Sequence, residues 1–266
     1  MRLGIGSYTY TWSVGVPGQT LPASPMDPEA IIDAACSLGV SVVQLCDNIL
    51  LHELDAGDLA RIADHARDAG VTLEAGTRGT DPAHLRKMIG VAASLGARLL
   101  RSMITGSIAD AERDIRQVLS ALAQEGMTLA LENYERHPVK GLADLIRRVD
   151  SLSVGACLDT VNSLGALETP AEAVEALLPL TVNLHLKDFD IVRADHRMGF
   201  SVIGTPAGKG RLDVETLIRT TRLNGRDPNA ILELWTPPAG RVEETVAREK
   251  AWARESISLL RRYIDQ

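Results

Sequence analysis

The chain of 266 residues carries 28 Lys+Arg against 35 Asp+Glu, a formal net charge of −7. Affinity for a phosphate backbone draws on clustered positive charge, so this balance argues against a nucleic-acid partner. No run of about 18 apolar residues is present to cross a membrane, and 45% hydrophobic residues with only 3% aromatics describe a Leu/Val/Ile/Ala core suited to α/β layers.

Short β-rich runs and amphipathic helical stretches alternate along the whole chain. The first strand is expected over 3–10, followed by a helix over 27–38, a strand over 40–47 and a helix over 56–69. The series continues with strand 72–77, helix 81–95, strand 97–104, helix 108–124, strand 128–134 and helix 140–150. It closes with strand 154–160, helix 170–179, strand 181–188, helix 213–224, strand 230–235 and helix 243–264. Asp27-Pro28, Asp81-Pro82 and Thr169-Pro170 place a capping side chain before a proline in the first helical turn. Gly39, Gly70, Gly96 and Gly126 stand just past helix ends, where a left-handed cap is wanted.

Eight such units imply right-handed crossovers and a closed (β/α)8 barrel, an α/β TIM barrel running as one domain from 1 to 266. An open dinucleotide-binding sheet would want G-x-G-x-x-G after the first strand, but Gly4 and Gly6 lie inside it. Two segments exceed ordinary loop length, 11–26 after the first strand and 189–212 after the seventh. Both are expected to open at the C-terminal face of the strands, over a substrate.

Alternate strand residues face the barrel interior and the helices. In TLALEN, Leu129 and Leu131 share one face, leaving Glu132 on the other. In VGACLD, Ala156 and Leu158 oppose Asp159; in TVNLHLKD, Leu184 and Leu186 oppose His185 and Lys187; in AILELW, Leu232 and Leu234 oppose Glu233. The aliphatic sets can pack against helices, so the polar sets point inward. Buried carboxylates are costly unless paired or bound to a cation. One divalent metal held by Glu132, Asp159, His185 and Glu233 would satisfy all four groups. Three oxygen donors and one imidazole suit Mn²⁺, Mg²⁺, Co²⁺ or Zn²⁺, and the carboxylate majority tilts toward the harder ions. The competing reading of each residue taken singly is a satisfied hydrogen-bonding group at a strand end.

The motifs LEN at 131–133, LD at 158–159 followed by Asn162, NLHLKD, and ILEL at 231–234 resemble the sugar phosphate isomerase/epimerase superfamily. This is the xylose isomerase-like TIM barrel group of tagatose epimerases, hydroxypyruvate isomerases and inosose dehydratases. SYTYTWSVGVPG and MGFSVIGTPAGKGRLD also resemble a branch that includes the 3-oxo-isoapionate decarboxylases. The resemblance implies one catalytic metal, usually Mn²⁺ or a related ion, on the four named residues and an acid/base role for Glu132 and Glu233. Many of the epimerases carry a histidine where this chain has Asn162, and their arginine after the metal-binding histidine has no match at the same spacing, although Arg193 and Arg197 lie near.

The implied reaction is a metal-dependent isomerisation or epimerisation of a ketose or keto-sugar derivative through an enediolate. The metal would act as a Lewis acid and the two glutamates would move the proton. The same electron sink serves a lyase, either a 3-oxo sugar acid decarboxylase or an inosose-type dehydratase. A non-catalytic sugar-binding barrel is the third alternative. Lys187 is expected to steady the substrate or to pair with Asp188 or Glu135. Arg101 and Glu74 contact substrate or form a buried pair bridging neighbouring strands. Trp12, Trp235 and Tyr8 could stack on a sugar, while Asn162, Arg193, His196 and Arg197 are candidates for holding it. GTPAGKG (204–210) is read as a phosphate loop or a plain turn, and His137 as a cap on the loop after the fifth strand. The partner is a small sugar or sugar acid, with homo-oligomerisation left open. Three unclustered cysteines and no signal-like N-terminal pattern suggest a cytoplasmic setting.

Overall fold

A computed structural model of the chain describes residues 1–195 and 198–264. Eight parallel strands close into a barrel in the order β1-β10-β7-β6-β5-β4-β3-β2. They are β1 (Leu3–Gly6), β2 (Val42–Leu45), β3 (Thr72–Gly76), β4 (Leu99–Met103), β5 (Thr128–Glu132), β6 (Val154–Asp159), β7 (Thr181–Leu186) and β10 (Asn229–Leu232). The remaining two strands, β8 (Asp188–Arg193) and β9 (Phe200–Thr205), form an antiparallel hairpin between β7 and β10.

The helices begin and end where local chemistry directs them. Asp27 and Asp81 each accept a hydrogen bond from a first-turn amide, and Thr169 forms a reciprocal capping box with Glu172. Gly39, Gly70, Gly96 and Gly126 all have positive φ at the helix exits. The expected helix over 108–124 is divided: Ile108–Arg116 stops at Gln117, and Leu119–Glu125 starts afresh. The first strand is also shorter than expected, because residues Ser7–Tyr10 turn into a 3₁₀ helix. There Thr9 bonds back to the Gly6 amide and to the Leu232 carbonyl, which bends the chain across the barrel mouth.

Side-chain parity follows the alternation of the sequence. Leu129, Leu131, Ala156, Leu158, Leu184, Leu186, Leu232 and Leu234 all join the continuous apolar core between strands and helices. Glu132, Asp159, His185 and Glu233 are buried on the opposite side, within the barrel.

The stretch over 189–212 is not an open loop. The β8–β9 hairpin occupies most of it, and the glycine-rich segment after it is wrapped around Asp188. One Asp188 oxygen accepts from the amides of Gly208 (2.8 Å) and Gly210 (2.9 Å), and the other from Leu212 (3.0 Å). Those amides are consumed by an internal carboxylate, so GTPAGKG is a stapled turn rather than a phosphate loop, and Lys209 pairs outside it with Glu255.

Gly204 locks the hairpin against the barrel mouth. A Cβ there would lie 2.1 Å from the Trp235 carbonyl oxygen and 2.5 Å from its Cβ. Gly204→Ala should therefore lower unfolding stability by about 1–3 kcal/mol, the usual cost of overpacking, read from denaturant midpoints. An unchanged midpoint would contradict this close approach.

Candidate metal centre and active site

The four polar strand ends meet at one place. The donor atoms of Glu132, Asp159, His185 and Glu233 all lie within 4.8 Å of one another, and each residue is almost wholly removed from solvent. Nδ1 of His185 stands 3.3 Å from Glu132 Oε1, 3.3 Å from Glu233 Oε1 and 3.9 Å from Asp159 Oδ2. None of these contacts is a well-directed hydrogen bond, and both Nδ1 and Glu233 Oε1 are left without a hydrogen-bond partner.

Neighbouring residues fix these side chains. Asp159 Oδ1 accepts from the amides of Val161 (2.8 Å) and Asn162 (2.7 Å), leaving Oδ2 toward the centre. Asn133 of the LEN motif clamps β6 by accepting from the Asp159 amide (2.7 Å) and donating to its carbonyl (2.9 Å). Asn162 donates to Glu132 Oε1 (2.8 Å). Asn162, expected to contact substrate, thus holds Glu132 in place.

Two buried cations share the cluster. Arg101 pairs with Glu132 and, at 2.8 Å, with Asp47. Lys187 Nζ lies 2.8 Å from both Asp159 Oδ2 and Glu233 Oε2 and 3.3 Å from Asn162 Oδ1. Lys187 therefore pairs with two of the expected metal ligands, not with Asp188 or Glu135. Arg101 pairs with Glu132, two residues further along β5 than its register partner Ala130, rather than with Glu74, whose carboxylate is engaged by Gln44, Asn183 and Asn229.

Charge and burial compete at every group here. Burial acts to raise the Glu132 carboxyl, but Arg101, with His185 and Lys187, overrides it and holds the group well below the carboxylate range. Burial raises Asp159 more than Lys187 lowers it. For His185, burial pulls the pKa down, yet the adjacent Glu233 and Glu132 carboxylates win and raise it. Lys187 goes well above its ordinary value because Asp159 and Glu233 outweigh its burial.

This donor set fits a divalent ion. An octahedral ion with bonds of about 2.1 Å places its donors roughly 3 Å apart in cis and 4.2 Å in trans, inside the spread of this cluster. Once free of a proton, the unpartnered Nδ1 would offer the lone pair such an ion requires. Three carboxylates against the two buried cations leave uncompensated negative charge for it to neutralise.

A cavity of about 430 Å³ opens directly above, lined by Tyr8, Arg78, Arg101, Tyr134, Asn162, Lys187, Glu233 and Trp235, among others. Lys187 Nζ lies 5.6 Å from the centre of the Trp235 ring and Arg101 Cζ 5.9 Å from that of Tyr8.

Several candidate substrate contacts lie elsewhere. Glu74 is deep in the barrel, bonded to Gln44, Asn183 and Asn229. Trp12 packs away from the cavity, its ring N–H donating to the Thr236 carbonyl at 2.8 Å. Arg193 is exposed on β8, stacked 4.3 Å over its cross-strand neighbour Phe200. Arg197 and His196 lie outside the described residues. His137 makes a turn through its amide to the Tyr134 carbonyl (3.3 Å), while its Nε2 is buried without a partner. Asp47 and Arg78, which pair at 3.2 Å, were not singled out from the sequence. Both lie just beyond strand ends, where alternation no longer indicates direction.

The sequence pattern of the Xylose isomerase-like TIM barrel family matches residues 32–263. The chain belongs to this family. It is 33% identical over 265 residues to a 3-oxo-isoapionate decarboxylase of Pectobacterium atrosepticum, covering 98% of this chain and 95% of that one. Among solved structures, a D-psicose 3-epimerase with D-fructose superposes with a TM-score of 0.76 at 16% identity, each chain covered in full. A family member from Mycobacterium smegmatis in complex with magnesium gives 0.70 at 14% identity, with 97% of each chain covered. At such identities these two likenesses concern the fold alone.

Metal binding must displace any proton from His185 Nδ1, so affinity for Mn²⁺ should rise with pH through the raised titration of this histidine. Calorimetric titrations across that interval check this. Affinity that stays flat or falls as pH rises would contradict Nδ1 as a ligand.

Proposed function

We propose that the protein is a divalent-metal-dependent decarboxylase of a 3-oxo sugar acid. The charge balance of the cavity carries this reading. Leaving aside Glu135, which lines the cavity from an exposed, solvated position, the ion-paired groups at and beneath it are Asp47, Glu132, Asp159 and Glu233 against Arg78, Arg101 and Lys187, four negative against three positive. A divalent ion turns that deficit into a surplus of one positive charge, which a single carboxylate on the substrate offsets. A neutral ketose would leave the surplus uncompensated in a largely buried site. The identity to a decarboxylase of a 3-oxo acid over nearly its whole length supports the same choice.

Held by Glu132, Asp159, His185 and Glu233, with Mn²⁺ the favoured ion, the metal would supply Lewis-acid stabilisation of the negative charge that grows on the 3-oxo oxygen. Arg78 and Lys187, both facing the cavity, would hold the substrate carboxylate until its carbon–carbon bond breaks. The electron pair moves toward the ketone, carbon dioxide leaves, and the remaining carbon takes a proton. Lys187 and Glu233, 2.8 Å apart in the cavity wall, are placed to deliver that proton. Glu132 lies behind them and is held ionised by Arg101, so it is the poorer acid. Tyr8, Tyr134 and Trp235 shape the apolar side of the cavity against a sugar chain.

The isomerase reading rests on a different feature of the same site. Glu132 and Glu233 each approach His185 Nδ1 to 3.3 Å, so two carboxylates are available to a proton shuttled next to a ketone. The two reactions separate cleanly in D₂O. The Mn²⁺-loaded protein is incubated with 3-oxo sugar acids and with ketoses, and products are followed by NMR. Release of carbon dioxide with one deuteron incorporated supports decarboxylation; deuterium exchange beside the ketone with the carboxylate retained supports isomerisation and overturns our reading. Glu233→Gln should reduce turnover by about 100-fold or more. A variant that keeps most of its activity would remove Glu233 from the proton transfer.

A further inference from the structure

Beneath the metal centre the barrel is filled by a polar layer rather than by the usual branched aliphatics. Glu74 on β3 is buried and accepts from three amides: Gln44 Nε2 (3.0 Å), Asn183 Nδ2 (3.0 Å) and Asn229 Nδ2 (2.6 Å). Gln44 and Glu74 are register partners on β2 and β3, while Asn183 and Asn229 are register partners on β7 and β10. The carboxylate thus ties together four strands from opposite sides of the barrel. Gln44 Nε2 also donates to Asn183 Oδ1 (3.0 Å), which leaves its Oε1 facing His185 Nε2 at 2.7 Å.

The direction of this network is set at its lower end. A carboxylate only accepts, so Gln44 must turn its nitrogen toward Glu74 and its oxygen toward His185. An amide oxygen only accepts (this one also from Cys46 Sγ at 3.2 Å), so the imidazole proton is drawn to Nε2 and Nδ1 is left as a lone pair toward the metal centre. Without this acceptor the opposite arrangement gains, because two carboxylate oxygens 3.3 Å from Nδ1 attract a proton there.

We propose that Glu74 and Gln44 are positioning residues that select the His185 tautomer presenting Nδ1 to a divalent ion. The inference deepens the metal reading above and rests on it. It gives Glu74 a role in the site without substrate contact, and it explains why a fully buried carboxylate persists at this depth. Burial raises the Glu74 carboxyl, and the amide donors oppose that rise.

The test reads protons and ions separately. ¹⁵N NMR of histidine-labelled, metal-free protein, well above the ordinary histidine range, should show the single His185 proton on Nε2. His185→Gln identifies its signals among the six histidines. Gln44→Met should shift that proton to Nδ1 and weaken Mn²⁺ binding, measured by calorimetry, by about 10- to 100-fold. The exchanged pair Gln44→Glu with Glu74→Gln, which returns an acceptor to His185 at unchanged total charge, should recover both signals in part. A proton found on Nδ1 of the unaltered protein overturns the proposal, even if Gln44→Met does not fold. Wild-type tautomer and affinity retained in Gln44→Met would do the same. Failure of the unaltered protein to bind Mn²⁺ refutes the metal reading itself, which the tautomer measurement distinguishes from failure of the relay.

Discussion

Three carboxylates and an imidazole, almost wholly withdrawn from water at the ends of four neighbouring strands, are the constraint around which the rest of this barrel is arranged. Charges so placed are tolerated only with compensation. Arg101 and Lys187 supply part of it; burial acts to lower both, but Glu132 beside Arg101 and Asp159 beside Lys187 hold each well above its ordinary value. What remains is a deficit of positive charge at a point where an imidazole lone pair also converges. The donor set could therefore hold a cation whichever reaction is considered.

The surrounding architecture serves that point at three depths. Asn133 and Asn162 lock the ligands from the loops above. Asp47, through Arg101, reaches Glu132 from the far side of the barrel. Below, the Glu74 layer replaces an apolar filling with directed hydrogen bonds. An apolar layer would pack as well, but it would set no direction for His185. The cost of burying this lower layer is offset because Glu74, Gln44, Asn183 and Asn229 are hydrogen-bonded to one another.

Much of this was legible in the residues themselves. Strand alternation placed Glu132, Asp159, His185 and Glu233 inward because each follows a run of aliphatics whose parity is unambiguous. The same rule put Glu74 and Lys187 inward correctly, but parity carries no information about height along the barrel axis. Glu74 consequently belongs to the layer below the site and Lys187 to the site itself. Arg193 and Trp12 sit on segments without barrel periodicity, and their directions depend on the β8–β9 pairing and on contacts with Thr236. The hairpin escaped notice because its strands lack a short turn signal between them. The helix over 108–124 divides at Gln117–Val118, which the amphipathic pattern alone does not mark. Asp47 and Arg78 lie past the ends of β2 and β3, where only tertiary structure assigns a direction.

The central claim is that a divalent ion sits among these four side chains. Crystals equilibrated with Mn²⁺ and measured for anomalous scattering test it most directly. One peak is expected about 2.0–2.4 Å from Glu132, Asp159, His185 Nδ1 and Glu233, with Lys187 turned toward the cavity. No peak there, with Lys187 Nζ still bridging Asp159 and Glu233, would contradict it and leave the cluster a closed ion-pair network.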